Sequence, residues 1–161
     1  MGKMEIKTNV MRILEQQKIP HTVHEYPCPD GAVDGRTVAH MIGREEEQVF
    51  KTLVTVGVSR TNYVFVIPVA EELNLKKAAK AVGEKSIAMI RQAELFPLTG
   101  YVHGGCSPIG MKKHLRTVFD ETAELLDTVI VSAGKIGWQV ETAPGDLLTL
   151  TGGSTAELTG E

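Results

Sequence analysis

The sequence predicts a single compact α+β domain in which a mixed β-sheet, or a barrel-like core, is flanked by helices. Its 161 residues, 42% of them hydrophobic, suffice for one domain over residues 1–161 with a substantial core. Segments rich in β-branched and aromatic residues outnumber segments with helical periodicity. Because the two kinds of segment do not alternate regularly, their order argues against a doubly wound parallel sheet.

The chain begins with a predicted helix that leads into a short strand. Thr8 can cap a helix in which Val10 and Leu14 fall on one face, and Pro20 ends it. The hexapeptide "HTVHEY", residues 21–26, alternates in polarity as a strand does.

Turn residues and short helical segments follow this strand. The stretch "CPDGAVDG", residues 28–35, has the composition of turns. Thr37 is predicted to open a helix that Gly43 stops. The glutamates at 45–47 suit the first turn of another helical stretch, where the helix dipole favours negative charge.

The middle of the chain contains the clearest strand pair and the clearest helix. "VFKTLVTVG" and "NYVFVIPVA", residues 49–57 and 62–70, are rich in β-formers and predict a hairpin. The apolar positions of 75–82 then form one helical face surrounded by lysines, and Gly83 ends this helix.

The last third is predicted to contain a second short helix, three strands and a final helical turn. The segment "IAMIRQAELF" is predicted to be a helix before Pro97. The further segments are the strands "TVFDE", "DTVIVSAG" and "GWQVET" and the helical turn "PGDLLTLTGG". The tail, about residues 152–161, is expected to fray.

Composition excludes several classes of protein. A net charge of −3 argues against nucleic-acid capture by bulk electrostatics, although a local basic patch is compatible with it. Cys28 and Cys106 lie far apart, without zinc-ligand spacing, which predicts free thiols in a reducing compartment. No signal peptide and no apolar run of the ~20 residues that span a bilayer are present, so we expect a cytoplasmic protein without a membrane partner.

Lys51 is the first residue that suggests chemistry, because it interrupts an apolar strand. Judged from the residues alone, an edge strand whose lysine faces water is the favoured interpretation. The alternative is a partly buried ammonium that faces a cavity and holds a carbonyl, carboxylate or phosphate. Thr52 points to the opposite side of the strand, but its backbone N–H can face the same pocket.

The segment "YVHGGCSPIGMKKH", residues 101–114, is the second feature that suggests chemistry. Gly104, Gly105 and Gly110 make its backbone permissive and Pro108 stiffens it. Its spacing matches neither a Walker phosphate loop nor a Rossmann fingerprint. A tight structural turn explains one or two of these glycines. The whole set favours a substrate cradle made from backbone groups.

The remaining candidate residues are weaker. No activating histidine or lysine stands at a clear spacing from Cys106, which favours an inert loop thiol. "SAGKIG", residues 132–137, repeats the glycine theme, although alone it is an ordinary hairpin turn. Tyr26 is either a core residue or part of a pocket wall. No catalytic triad, H-E-x-x-H motif or carboxylate pair is present, so positioning and backbone donors must supply most of any catalysis.

Taken in order, "VFKTLV", "GGCSPIGMKK", "SAGKIG" and "PGDLL" resemble the YbaK family of aminoacyl-tRNA deacylases. These are free-standing relatives of the editing domain inserted in bacterial prolyl-tRNA synthetases. The resemblance runs from about Thr8 to about Leu150. The form "GGCSPIG" is more similar to the Cys-tRNA(Pro) branch than to the Ala-tRNA(Pro) branch.

The resemblance implies a catalytic role for Lys51, which would orient the aminoacyl-tRNA through its carbonyl or terminal adenosine. It implies no cofactor and no metal. Some relatives have an acidic residue where this chain has Gln139, which leaves a role for that position open. The substrate-binding residues that it implies are Tyr26, Thr52, Gly104, Gly105, Ser107, Pro108, Ser132 and Gly134.

The family's implied mechanism is hydrolysis assisted by the substrate's own cysteinyl thiol or ribose hydroxyl. The implied partners are the acceptor end of an aminoacyl-tRNA and prolyl-tRNA synthetase. Two alternatives stay open, an Ala-tRNA(Pro) deacylase and a non-catalytic module that binds tRNA or a synthetase. The candidate contact face for tRNA consists of Lys76, Lys77, Lys80, Lys85, Lys112 and Lys113.

Overall fold

A computed structural model describes residues 7–161. The helices are α1 (Asn9–Gln16), α2 (Gly35–Met41), α3 (Leu75–Val82), α4 (Gln92–Thr99) and α5 (Pro144–Thr151), with short 3-10 helices at Glu46–Gln48 and Glu121–Leu125. The strands are β1 (Thr22–Glu25), β2 (Phe50–Gly57), β3 (Asn62–Pro68), β4 (Ile87–Met89), β5 (Arg116–Asp120), β6 (Val129–Ser132), β7 (Trp138–Thr142) and β8 (Ser154–Ala156). None of these helices is long and apolar enough to cross a bilayer.

The strands form two sheets, which confirms the predicted α+β class. The smaller sheet has the order β1-β7-β6 and is antiparallel throughout. The larger sheet has the order β4-β2-β3-β5-β8, in which β5 runs parallel to both of its neighbours. Within residues 7–161 the two sheets meet at an isolated bridge between Val49 and Ile130. The barrel-like alternative is wrong, since this bridge does not extend into a ladder that could close a barrel.

The main core fills the space between the two sheets. Phe50 and Val54 of β2 face this core together with Val140 of β7 and Leu14 of α1. Leu53, on the opposite face of β2, packs into a second cluster with α3. Because the larger sheet is covered on both faces, the hairpin of β2 and β3 reads as nearly continuous apolar sequence.

Three predictions about the helices are wrong. Helix α2 is capped by Asp34, whose Oδ1 accepts from the Thr37 N–H at 2.9 Å, so it starts before Thr37. The predicted helix over 87–96 is a strand followed by a helix, because Ile87–Met89 finds β2 as a pairing partner. Pro97 lies inside α4 rather than after it.

The tail is ordered, contrary to the expected fraying. Its strand β8 pairs with β5, and Leu158 is completely buried against the α3 cluster. The Leu158 N–H donates to Asp120 Oδ1 at 3.0 Å, and Lys77 Nζ lies 2.6 Å from Glu157 Oε1. A single buried apolar residue such as Leu158 produces no periodic pattern in the sequence. The sequence therefore does not reveal that the tail is ordered.

Candidate functional site

A cavity of about 710 Å³ lies between the two sheets. Its walls come from five places: the first half of β2, the start of α2, the segment from β4 into α4, the glycine loop after α4, and the paired ends of β6 and β7. The lining residues include Tyr26, Asp34, Arg36, Lys51, Thr52, Met89, Gln92, Leu95, Gly104, Cys106, Ser132 and Gln139.

The cavity opens at a gap in the pairing of β2. On one side of this strand, the smaller sheet joins at Val49 and β4 joins at Thr55, which leaves residues 51–54 without a neighbouring strand there. The Val54 carbonyl accepts from the Ile90 N–H on this side at 3.3 Å. Since backbone groups of alternate residues point to the same side, the N–H and C=O of Thr52 face the gap.

The Thr52 side chain adds an unsatisfied hydroxyl to this wall. Among buried side-chain oxygens and nitrogens of residues 7–161, Thr52 Oγ1 is the one without a hydrogen-bond partner. A buried polar atom without a partner costs about 1–3 kcal/mol. Because this oxygen has almost no exposed surface, a ligand can hydrogen-bond to it only if the cavity wall shifts, and that bond would recover the cost.

Lys51 is half-buried at the same wall and is not on an edge strand, since β4 and β3 flank β2. The edge strand favoured from the residues alone is therefore wrong for β2 as a whole, although one side of the strand is unpaired at Lys51. Burial lowers the pKa of the Lys51 ammonium, and the nearby charges of Glu71 and Glu72 partly oppose this shift. The gap in pairing explains the position, because it admits a lysine into a strand that is otherwise enclosed.

The glycine loop can form part of the cavity wall because its glycines, which have no side chains, allow a close approach of the backbone. Gly104 lines the cavity with φ +88°, and a Cβ there would lie 2.4 Å from the Ala32 Cβ. A Cβ on Gly105 would lie 3.3 Å from the backbone nitrogen of Ile136. The adjacent glycines thus let this loop lie directly against residues 132–137, the other glycine-bearing loop.

The predicted site residues divide into two groups. Tyr26, Lys51, Thr52, Gly104 and Ser132 line the cavity, whereas Gly105, Ser107, Pro108 and Gly134 do not. The second group is placed behind the wall. The Ser107 Oγ accepts from the Ile109 N–H at 3.3 Å, and Gly134 leaves room for the Tyr101 ring.

Cys106 lines the cavity as a neutral thiol. Burial raises its pKa to about 12, and no disulfide joins it to Cys28. Only the thiolate is an effective nucleophile. The geometry therefore agrees with the prediction of an inert thiol.

Several cavity residues had no signal in the sequence. Arg36 at the start of α2 and Gln92 at the start of α4 belong to segments that look like ordinary surface helix. Gln139 differs from these two residues, because the family resemblance had drawn attention to it and left its role open; it is 6% exposed and lines the wall beside Ser132, its partner in the β6–β7 ladder. Pairing and packing over long sequence distances bring these residues together, so spacing along the chain could not reveal them.

A buried carboxylate next to the cavity was also missed. Glu141 lies two residues after Gln139 and contacts His24 Nε2 at 2.7 Å, Arg44 Nη2 at 3.2 Å and Thr128 Oγ1 at 2.6 Å. Burial opposes ionisation, but the hydrogen bonds from Thr128 and His24 and the Arg44 charge together lower the pKa of Glu141. This cluster fixes the connection between α2 and β2 onto the smaller sheet.

Two of the six lysines of the predicted contact face have different surroundings. Lys77 is paired with Glu157, and α3 packs on the β2 face that bears Leu53. Lys113 instead lines a groove that includes Val56, which lies on the opposite face of the strand.

Comparisons with known proteins agree on one family. The family model described as an aminoacyl-tRNA editing domain matches residues 31–150. A protein of Enterococcus faecalis, provisionally named Cys-tRNA(Pro)/Cys-tRNA(Cys) deacylase EbsC, is 46% identical over 157 residues, which cover 98% of this chain and 96% of that protein. A proline–tRNA ligase of Burkholderia thailandensis is 24% identical over 132 residues, covering 80% of this chain and 23% of the ligase.

A solved structure supports the same assignment. It is a crystal structure described as a provisional trans-editing enzyme for prolyl tRNA synthetase, with a TM-score of 0.82 and 27% identity, covering 98% of this chain and 100% of that one. The family match contains every residue that lines the cavity except Tyr26. The resemblance predicted from the sequence is thereby confirmed, and the chain belongs to the aminoacyl-tRNA editing domain family.

Proposed function

We propose that this chain is a trans-acting editing hydrolase that removes cysteine from mischarged Cys-tRNA(Pro) in the cytoplasm. The Enterococcus faecalis relative named for this activity matches almost the whole chain. A cavity of about 710 Å³ lies within the range of small-molecule sites, about 300–1,000 Å³, and suits an aminoacyl adenosine.

The observation that most supports this proposal is the gap in β2. Over residues 51–54 the gap places a half-buried ammonium, an unpartnered hydroxyl and free backbone groups at one wall. An aminoacyl ester offers complementary groups, namely carbonyl and ribose oxygens and an α-amine. In this proposal Lys51 holds the carbonyl or the terminal adenosine, while Thr52 and Gly104 contact the aminoacyl group.

The chemistry depends on positioning. Hydrolysis breaks the bond between the aminoacyl carbonyl carbon and the ribose oxygen; water supplies oxygen to the free cysteine, and the ribose oxygen leaves with a proton. Because Cys106 is held neutral, we assign the activation of the attacking water to the substrate's own thiol or ribose hydroxyl, and the proton taken from the water leaves with the ribose oxygen. Oriented backbone donors stabilise the developing oxyanion.

Selectivity for cysteine is explained if this cavity acts as a second selection step after the synthetase. A synthetase that relies on shape alone discriminates between similarly small side chains by about 10–200-fold. A cavity in which the cysteinyl thiol takes part in its own removal would complete the discrimination. The small chain, with a net charge of −3, is then expected to obtain tRNA identity from prolyl-tRNA synthetase and to contact mainly the acceptor end.

The test is deacylation of Cys-tRNA(Pro) and Ala-tRNA(Pro), side by side, by the wild type, Lys51→Ala and Arg12→Ala. Arg12 is an exposed cation of α1 and lines no part of the cavity, which makes it a matched control. We expect loss of the cysteinyl ester alone, abolished by Lys51→Ala and unchanged by Arg12→Ala. Cleavage of the alanyl ester instead would assign the other branch, and cleavage of neither ester would refute the proposed activity.

A further inference from the structure

A second concavity lies beside the cavity, separated from it by the segment that runs from β4 into α4. This groove measures about 740 Å³. Successive residues of β4 point to opposite sides, so that Met89 lines the cavity and Ala88 lines the groove. A ligand that crosses this segment can therefore contact both sites.

The free charges of the groove are positive. Arg60 and Lys113 line it, both are exposed, and neither forms an ion pair with any residue of 7–161. The one acidic residue of the lining, Glu94, lies 3.1 Å from Arg91 Nη2. In a chain with a net charge of −3, this local excess of cations favours a polyanion.

An exposed aromatic ring stands on the ridge between the two sites. On α4, Gln92 lines the cavity and Ala93 lines the groove. At 100° per residue, Phe96 projects between these two directions. Its 60% exposure leaves the ring accessible to a flat partner such as a base.

We propose that the single-stranded 3′ end of the tRNA crosses α4 at Phe96 and that phosphates of the acceptor strand lie in the groove against Arg60 and Lys113. This inference rests on the proposed function, which puts the aminoacyl adenosine in the cavity. The ring at Phe96 stacks on one of the unpaired bases. The two cations neutralise phosphates without reading sequence.

The chain offers a closely matched control for the two groove cations. Arg60 has φ +73°, and Lys18 at the end of α1 has φ +57°, so both are non-glycine residues in the left-handed region. Asparagine tolerates this conformation. The variant Arg60→Asn/Lys113→Gln is therefore compared with Lys18→Asn/Arg12→Gln, which removes one arginine and one lysine outside both sites.

The kinetic test uses Cys-tRNA(Pro) and the cysteinyl ester of the trinucleotide CCA. The groove variant is expected to raise KM for the tRNA about ten-fold with kcat unchanged, and the slope of log KM against log salt should fall by roughly one for each cation removed. The trinucleotide, which does not reach the groove, should be cleaved as by the wild type. Phe96→Ala should raise KM for both substrates, and the control variant for neither.

A binding measurement separates this inference from the proposed activity. Fluorescence anisotropy with uncharged tRNA reports the groove whether or not any ester is cleaved. Weaker, less salt-dependent binding by the groove variant would support the inference even if the wild type deacylated nothing. Binding equal to that of the wild type, or an equal loss in the control variant, would overturn it.

Discussion

The two ends of strand β2 differ in their pairing with neighbouring strands and in the polar groups that they carry. At Thr55 and Val56 the strand is paired on both sides, by β3 and β4. Beyond this end, Glu84 accepts hydrogen bonds from the Ser59 hydroxyl and, at 2.6 Å, from the Tyr63 hydroxyl. Over residues 51–54 one side is unpaired, and the side chains there are an orphaned hydroxyl and a half-buried ammonium. The comparison leads us to propose that one strand stabilises the fold at one end and binds a ligand at the other.

The largest effect is expected at the open end, for Lys51→Met. Removing a charged contact to the reacting group should lower the deacylation rate by about 10²–10³-fold. Stability should be retained or should rise at neutral pH. The folded-state pKa of Lys51 is lowered, so its burial destabilises the fold where the amine is protonated, and this penalty disappears as pH rises towards the usual lysine pKa of 10.5.

Rate measurements and thermal unfolding at pH 7 and pH 10 check this prediction together. A large loss of stability would mean that Lys51 supports the fold, and the contrast between the two ends would then fail.

The next effect is expected for Thr52→Val, which removes the unpartnered oxygen with little change in shape. If a ligand accepts or donates a hydrogen bond there, kcat/KM should fall about ten-fold, corresponding to roughly 1.4 kcal/mol. The melting temperature should stay the same or rise, because no hydrogen bond within the protein is lost. Thr52→Ser, which keeps the hydroxyl, is the control and should retain most of the activity.

At the paired end of β2, near Thr55, a substitution should lower the stability of the fold and leave the activity unchanged. Tyr63→Phe removes the hydrogen bond to Glu84 and should lower the melting temperature by about 2–4 °C. Activity per folded molecule should not change. Calorimetry and the deacylation rate per mole of folded protein test both statements, and a selective loss of activity would show that the two ends are coupled.

A smaller, pH-dependent effect is expected from Glu141. The folded-state pKa of Glu141 lies below the usual glutamate value, so its ionised form stabilises the fold above that usual value, and the contribution is lost as pH falls through the folded-state pKa. Glu141→Gln should therefore lower the free energy of unfolding at pH 7. The difference in this free energy between the variant and the wild type should shrink as the pH falls. Denaturant unfolding between pH 3 and pH 7 measures this, and a pH-independent difference would contradict it.

The smallest effect is expected for Cys106→Ser. A thiol whose pKa is raised to about 12 does not act as a nucleophile at neutral pH. The deacylation rate should stay within about three-fold of the wild type, a change below 1 kcal/mol. Trapping of a covalent cysteinyl intermediate on Cys106 would refute this assignment.

The sequence predicted those elements whose character is local. The hairpin of β2 and β3 and the helix α3 follow from residue type and periodicity. The strand Ile87–Met89 and the tail around Leu158 were mispredicted, because each takes its structure from a partner distant in sequence.

The candidate site was predictable to a similar degree. The family resemblance indicated Lys51, Thr52 and Gly104, which line the cavity. It also indicated Gly134, which lies behind the wall. The lining position of Gln92 depends on how α4 packs, and that packing has no short-range signature.

The contact between the two glycine loops has a consequence for evolution and for protein engineering. A Cβ on Gly105 would lie 3.3 Å from the Ile136 nitrogen, so the second loop would have to shift by a few tenths of an ångström to admit it. We therefore expect residues 103–108 and 133–137 to change together in evolution. Whether a substitution in one loop is tolerated depends on the residues of the other loop. A mutant library that varies both segments jointly will contain functional cavity shapes that two separate libraries would discard.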